Sequence, residues 1–374
     1  MLALLAVIAA VAAVATLLFT GALNAGRKNS AEAGGTGVRS APARDMSAVP
    51  GPLHGAPLLG STGLRMLVSA DPPFVLNVDT GAIRPVAGLD ANGNPVLTVL
   101  PVGQDAVVWL DRGARSGGFP RAEVYLVRHG TTQATRIATG WEVAPADGGH
   151  AIWLLSFKDA RHCTLSKIGL DGRTRQRARP VSCSAQLIDA GSGVVLVYGR
   201  TVVDPATGRA LLSGGSLWAI AGGRALTSTG SGPPLTLIDL RTGTRWRLPW
   251  PSRIRGTDQS GTDQAVVQPG GRLIALDFAD PAYALTGIQV TDVWLLDPTT
   301  RHFRHLPDMP AAVQLKFTSM AWASDSRVVM LARTSGPSGD RDLVAVWKPG
   351  QRQIALRLVR LPARNSGSGT FVVW

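Results

Sequence analysis

Cys163 and Cys183 are the only two cysteines among 374 residues. A lone pair in a chain that otherwise excludes the residue points to one disulfide in an oxidising compartment, with two reduced buried thiols as the alternative. A cross-link closing so short a loop contributes on the order of 3 kcal/mol in the chain-entropy picture. The six histidines offer less. His302 and His305 lie three apart on an expected strand and so point to opposite faces, where they share no metal ion. His54, His129, His150 and His162 fall in the linker, in turns or at strand ends, and each histidine is expected at the surface. No His-Glu-x-x-His or multi-cysteine spacing occurs, so neither a metal nor another cofactor is expected. Glycosidic chemistry needs two acids at a defined separation, and Asp258, Asp263, Asp277, Asp280, Asp340 and Asp342 are the carboxylates that could supply such a pair. No complete Ser-x-Asp-x-Gly-x-Thr-Trp box and no Gly-x-Ser-x-Gly elbow accompanies them, so the expected function is non-enzymatic.

Arginine and aromatic residues gather instead in long polar connections, at Arg112, Arg115, Arg121, Trp250, Arg253, Arg255, Tyr283 and Arg341. This composition suits contact with a protein or a glycan. Such residues act together only if a scaffold brings the connections 111–122, 250–264, 278–292 and 334–342 to one side.

The scaffold is a repeat. A Gly- or Asp-rich turn followed by an alternating apolar strand recurs as "GSTGLRMLVSA", "PVGQDAVVWLD", "PADGGHAIWLLSF", "DAGSGVVLVYG", "IAGGRALTSTG", "QPGGRLIALDF" and "ASDSRVVMLAR". Each is followed by a second hairpin signal, among them "VLNVDTGAIRPV", "VVDPATGRALL", "LIDLRTGTRWRL" and "WLLDPTTRHFRHL". Glycine, asparagine and aspartate supply the positive φ that two-residue turns demand. From Asp79 to Lys348 the second turn recurs over six intervals of about 45 residues, the period of a four-stranded propeller blade. The fold class predicted is all-β: a seven-bladed β-propeller of four-stranded antiparallel blades, preceded by one N-terminal transmembrane helix. A two-sheet sandwich is the alternative. The b-to-c and d-to-a connections of a propeller share one face, which is where the four long connections belong. The closing "GTFVVW" reads as a strand that completes blade 1, with Phe371 to Trp374 in it, because closure removes exposed sheet edges.

The turn-and-strand signature in "PADGG", "QPGGRLIAL" and "WASDSRVVML" resembles the repeats of TolB-like periplasmic propellers and, more loosely, WD-repeat blades. The resemblance spans about 310 residues. It implies a propeller fold and export, and it carries over no active site.

Met1 to Gly26 carries no charged side chain and is long enough to cross a bilayer, so 1–26 reads as a transmembrane anchor or a signal peptide with "AEA" at Ala31 to Ala33 as a cleavage site. Residues 27–58, rich in Ala, Gly, Ser and Pro, read as a flexible linker, and 59–374 as the propeller. Orientation is contested: Arg27 and Lys28 follow the apolar run and favour a cytoplasmic body, whereas the cysteine pair favours export. A net charge of +13 raises nucleic acid as a partner, but only five of 38 basic residues are lysines and "RTRQRAR" is the one dense run, so nucleic acid is not expected. The reading is a monomeric, membrane-anchored, extracytoplasmic propeller that binds a protein or cell-envelope polymer without catalysis. An exported glycan hydrolase or lyase and a cytoplasmic membrane-bound scaffold are the alternatives.

Overall fold

Apolar strands that bury both faces need a neighbour on each side, and a ring of sheets supplies one to every strand. The computed structural model is described from residue 50 onward, apart from residues 71, 90–95, 112–121, 160, 192–193, 230–233, 252–260, 281–287, 315–318, 337–338 and 363–369. The expected membrane helix of residues 1–26 lies outside the described residues, among which no helix is long and apolar enough to cross a membrane.

In chain order, β1 (Ala56–Pro57) precedes the first blade, which contains β2 (Arg65–Val68), β3 (Phe74–Asn77) and β4 (Ile83–Pro85). Blade 2 holds β5 (Val96–Val102), β6 (Asp105–Asp111), β7 (Ala122–Val127) and β8 (Ala134–Gly140). Blade 3 holds β9 (Glu142–Ala146), β10 (Ala151–Phe157), β11 (Cys163–Gly169) and β12 (Thr174–Val181). Blade 4 is built from β13 (Ala185–Asp189), β14 (Val194–Tyr198), β15 (Thr201–Val203) and β16 (Ala210–Ser213). Blade 5 follows with β17 (Ser216–Ala221), β18 (Arg224–Ser228), β19 (Leu235–Asp239) and β20 (Arg245–Leu248). Blade 6 has β21 (Gly261–Val267), β22 (Ile274–Asp280), β23 (Ile288–Asp297), β24 (His302–His305) and an added β25 (Ala311–Gln314) paired to the start of β23. Blade 7 contains β26 (Ser319–Trp322), β27 (Val328–Gly336), β28 (Gly339–Trp347) and β29 (Ala355–Val359), and the chain then returns as β30 (Phe371–Val373).

Seven antiparallel blades result, and β30 pairs with β2 as the innermost strand of blade 1, which is the closure the terminal sequence predicts. Two strands exceed the four-per-blade pattern. One is β25; the other is β1, which runs parallel to β29 on the outer edge of blade 7. Residues 51–58, whose composition reads as linker, therefore lie against the propeller, with Leu53 buried at 5% exposure and Gly51 accepting the Ala312 amide. At Gly55 a side chain would run into the Ile354 carbonyl, so glycine is required for the close approach.

The core is divided into seven clusters, each formed by two successive blades. Alternation decides which seam a residue enters: on β27, Val328, Met330 and Ala332 face blade 6, whereas Val329 and Leu331 face blade 1.

The c-to-d turns of blades 1, 4, 5 and 6 share one construction. Asp239 Oδ1 accepts the amides of Arg241 (2.9 Å) and Thr242 (2.8 Å), and Asn77, Asp204 and Asp297 do the same for the amides two and three residues on. Four residues after the capping side chain the backbone turns to positive φ, at Gly81, Gly208, Gly243 and, in blade 6, Arg301. These turns are longer than the two-residue form expected, because the Asx cap and the left-handed residue together close a wider loop.

Candidate functional site

Three of the four long connections join strand ends at the b-to-c and d-to-a rim: 112–121 between β6 and β7, 249–260 between β20 and β21, and 281–287 between β22 and β23. Arg112, Arg115, Arg121, Arg253, Arg255 and Tyr283 fall in them and outside the described residues. The fourth does not exist as a loop. β27 and β28 pair to their ends, Thr334 with Arg341, Ser335 with Asp340 and Gly336 with Gly339, so Arg341 is an exposed strand residue. Its polar sequence misled because exposed hairpin residues are as polar as loop residues. Trp250, at the root of the second connection, is half-buried and meets Phe278 edge-on at 4.6 Å, within the blade 5 and 6 core.

Cys163, the first residue of β11, is bonded to Cys183 in the connection from β12 to β13, with 5.1 Å between the Cα atoms. The disulfide lies on the same rim.

Below that rim, blade 6 holds the acid cluster. Asp277 on β22 is 1% exposed and receives the Thr291 hydroxyl of β23. Burial, then the neighbouring Asp263 and Asp292, push its carboxyl up to about 8, against the lowering hydrogen bonds of Thr291 and the Asp292 amide. Asp263 stands at a β-bulge of β21, between Thr262 and Gln264, and accepts Gln289 Nε2 at 3.4 Å. Desolvation raises its carboxyl too, but Asp263 keeps an exposed surface, so Asp277 is the stronger proton holder of the two. Asp292, 0% exposed, points to the other side of the sheet, where Oδ1 meets His305 Nε2 at 2.6 Å and Oδ2 accepts Trp294 Nε1 at 3.0 Å. The Trp294 and His305 rings lie 4.2 Å apart. His305 is thus an anchored, half-buried residue rather than a surface one, since an unpaired carboxylate at Asp292 would be costly to bury. The expected opposition of His302 and His305 holds, with exposure alternating along β24.

Of the other carboxylates considered, Asp342 is held by Arg333 Nε at 2.6 Å and by the Leu361 amide at 3.2 Å. Asp340 is an exposed strand residue; Asp258 and the Asp280 side chain lie outside the described residues. Among the described residues no group of three or more His, Cys, Asp or Glu converges to hold a metal ion.

Sequence reasoning missed Glu142. It begins β9, the inner strand of blade 3, and its Oε2 accepts the Leu187 amide of β13 at 2.6 Å. Burial pushes its carboxyl up to about 7. The signal available was a lone acid leading an apolar strand in "WEVAPA". Four arginines scattered in the sequence also share a role across seams. Arg179 donates to the Pro205 carbonyl, Arg224 to Pro298, Arg327 to Thr62, and Arg357 to Leu58 and Asp79.

No family model matches the chain, and no curated protein matches it in sequence. The periplasmic gluconolactonase of Pseudomonas aeruginosa superposes with a TM-score of 0.50 at 13% identity, over 83% of this chain and 99% of that one. The β-propeller domain of the trilobed protease from Pyrococcus furiosus gives 0.49 at 10% identity, over 83% and 98%. Puromycin hydrolase gives 0.42 at 16% identity over 79% of this chain, which spans about half the length of that protein. What the gluconolactonase likeness shows is the propeller fold.

Proposed function

We propose that this chain is a membrane-anchored, extracytoplasmic propeller that binds a protein or cell-envelope polymer through the rim of its b-to-c and d-to-a connections, without catalysis. The observation that supports it most is the asymmetry of the two rims. On one, the c-to-d turns are closed by their own Asx bonds; on the other, the strand ends of blades 2, 5 and 6 are joined by the longer connections 112–121, 249–260 and 281–287. Long connections on a fixed scaffold are where binding resides. The disulfide on that rim supports an oxidising compartment.

Replacing Arg253 and Arg255 together by Ala should weaken capture of the partner from native membranes several-fold and leave the melting temperature nearly unchanged. The matched pair Arg173 and Arg209 to Ala, in the opposite turns, should do neither. Loss of capture by the second pair alone would place binding on the other rim. Orientation is read by a reporter fused after Trp374: an exported phosphatase should be active there and a cytoplasmic fluorescent protein dark, and the reverse pattern would remove export.

Glycan hydrolysis requires two carboxyls that one sugar ring reaches. Asp263 and Asp277 interact, but Asp277 is enclosed at 1% exposure, so this pair favours a structural role over hydrolysis.

A further inference from the structure

Among the described residues, the inner strands of blades 6 and 7 are joined by three polar contacts, and all three start from or end on the strand that carries Asp263. Gln264 Nε2 donates to the Met320 carbonyl at 3.1 Å, the Met320 amide donates to Gln264 Oε1 at 2.9 Å, and Trp322 Nε1 donates to the Val266 carbonyl at 3.0 Å. Gln264 immediately follows the bulge at Asp263, and Asp277 lies opposite it in the register of β21 and β22. We propose that the Asp263 and Asp277 pair is a pH-operated catch on the seam between blades 6 and 7, closed while the pair retains a proton and loosened when both carboxyls ionise.

The mechanism is electrostatic. With Asp277 protonated, one carboxylate remains in the pair, and it is Asp263, open to solvent and held by Gln289. Removing the second proton places a charge in a fully enclosed site beside a like charge. Among the described residues, the chief electrostatic influences on Asp277 include no cation. The titratable groups that raise the Asp277 carboxyl are Asp263 on β21 and, from the far side of the sheet, Asp292 on β23, both acidic. Asp292 is already committed to His305 of β24 and Trp294. Strands β25 and β26 contribute no charged residue, and Arg333 on β27 is bound to Asp342. A bulge is the part of β21 that yields most readily, because its extra residue is already unpaired. Displacing Asp263 there draws on Gln264, the residue that grips Met320. The burial that raises Asp277 to about 8 places the transition just above neutrality.

Amide hydrogen exchange of the full chain at pH 6 and pH 9, corrected for intrinsic rates, tests this. Protection in β26 and β21 should fall at least ten-fold more than in β6 and β7 of blade 2. Asp277→Asn should abolish the difference. Asp263→Asn, on the exposed member, should reduce it while leaving folding intact, so the test survives if the buried variant misfolds. An equal fall in every blade, or an unchanged step in Asp263→Asn, would overturn the proposal.

Discussion

The left-handed residue of the c-to-d turns isolates a backbone effect from any packing effect. A Cβ at Gly243 meets nothing within 4 Å, so Gly243→Ala should cost about 1 kcal/mol through φ alone. Denaturant unfolding of the pair measures it. At the equivalent position in blade 6, Arg301 accepts a positive φ of 64° and lies 5.5 Å from the Trp246 ring. Arg301→Gly therefore trades relief of strain for a lost cation–π contact, and the two should cancel to within about 1 kcal/mol. The aspartate and glycine of these turns were legible in "DPATG" and "DLRTG" as turn residues; the Asx cap was not, nor was Arg301, because only the register with Asp297 reveals that arginine occupies a glycine position.

Elements are joined by groups whose partners lie far off in sequence. Arg357 reaches the carbonyls of Leu58 and Asp79 from blade 7, closing the ring beside the Asp79 carboxylate that holds Ser61, Thr62 and Gly63. Arg357→Met should destabilise by about 2 kcal/mol, since two part-buried carbonyls lose a charged donor, whereas exposed Arg209→Ala should stay within about 0.5 kcal/mol. Replacing Cys163 and Cys183 together by Ala should cost about 3 kcal/mol, read in the same unfolding assay. The strands and blades were readable because apolar alternation and turn residues are local properties. The seam arginines, Glu142 and the anchoring of His305 were not, because each depends on which blade lies alongside. The supposed connection 334–342 failed for a local reason: a polar stretch with Gly and Pro describes an extended hairpin as well as a loop.

For the molecule as a whole, the raised and lowered carboxyls set opposite pH limits. Glu142 and Asp277 are raised from 4.5 and 3.8 to about 7 and about 8, so the stability they contribute is complete below their unfolded values and lost as pH rises toward 7 and 8. Asp79 is lowered to about 2 because the hydrogen bonds of Thr62, Gly63 and Ser61 outweigh its desolvation, so its contribution holds above 3.8 and is lost as pH falls through 2. The melting temperature should thus peak at about pH 4 to 5 and decline toward pH 8. Asp277→Asn combined with Glu142→Gln should flatten that decline, as a calorimetric pH series would record.

Partner binding on one rim of a rigid ring is tested most directly by mapping a captured partner's footprint. With the partner purified from native membranes, hydrogen exchange of the full chain should gain protection in peptides covering 112–121, 249–260 and 281–287 and none in the turns at 78–81, 205–208 and 240–243. Protection confined to those turns, or spread evenly over both rims, would contradict the account.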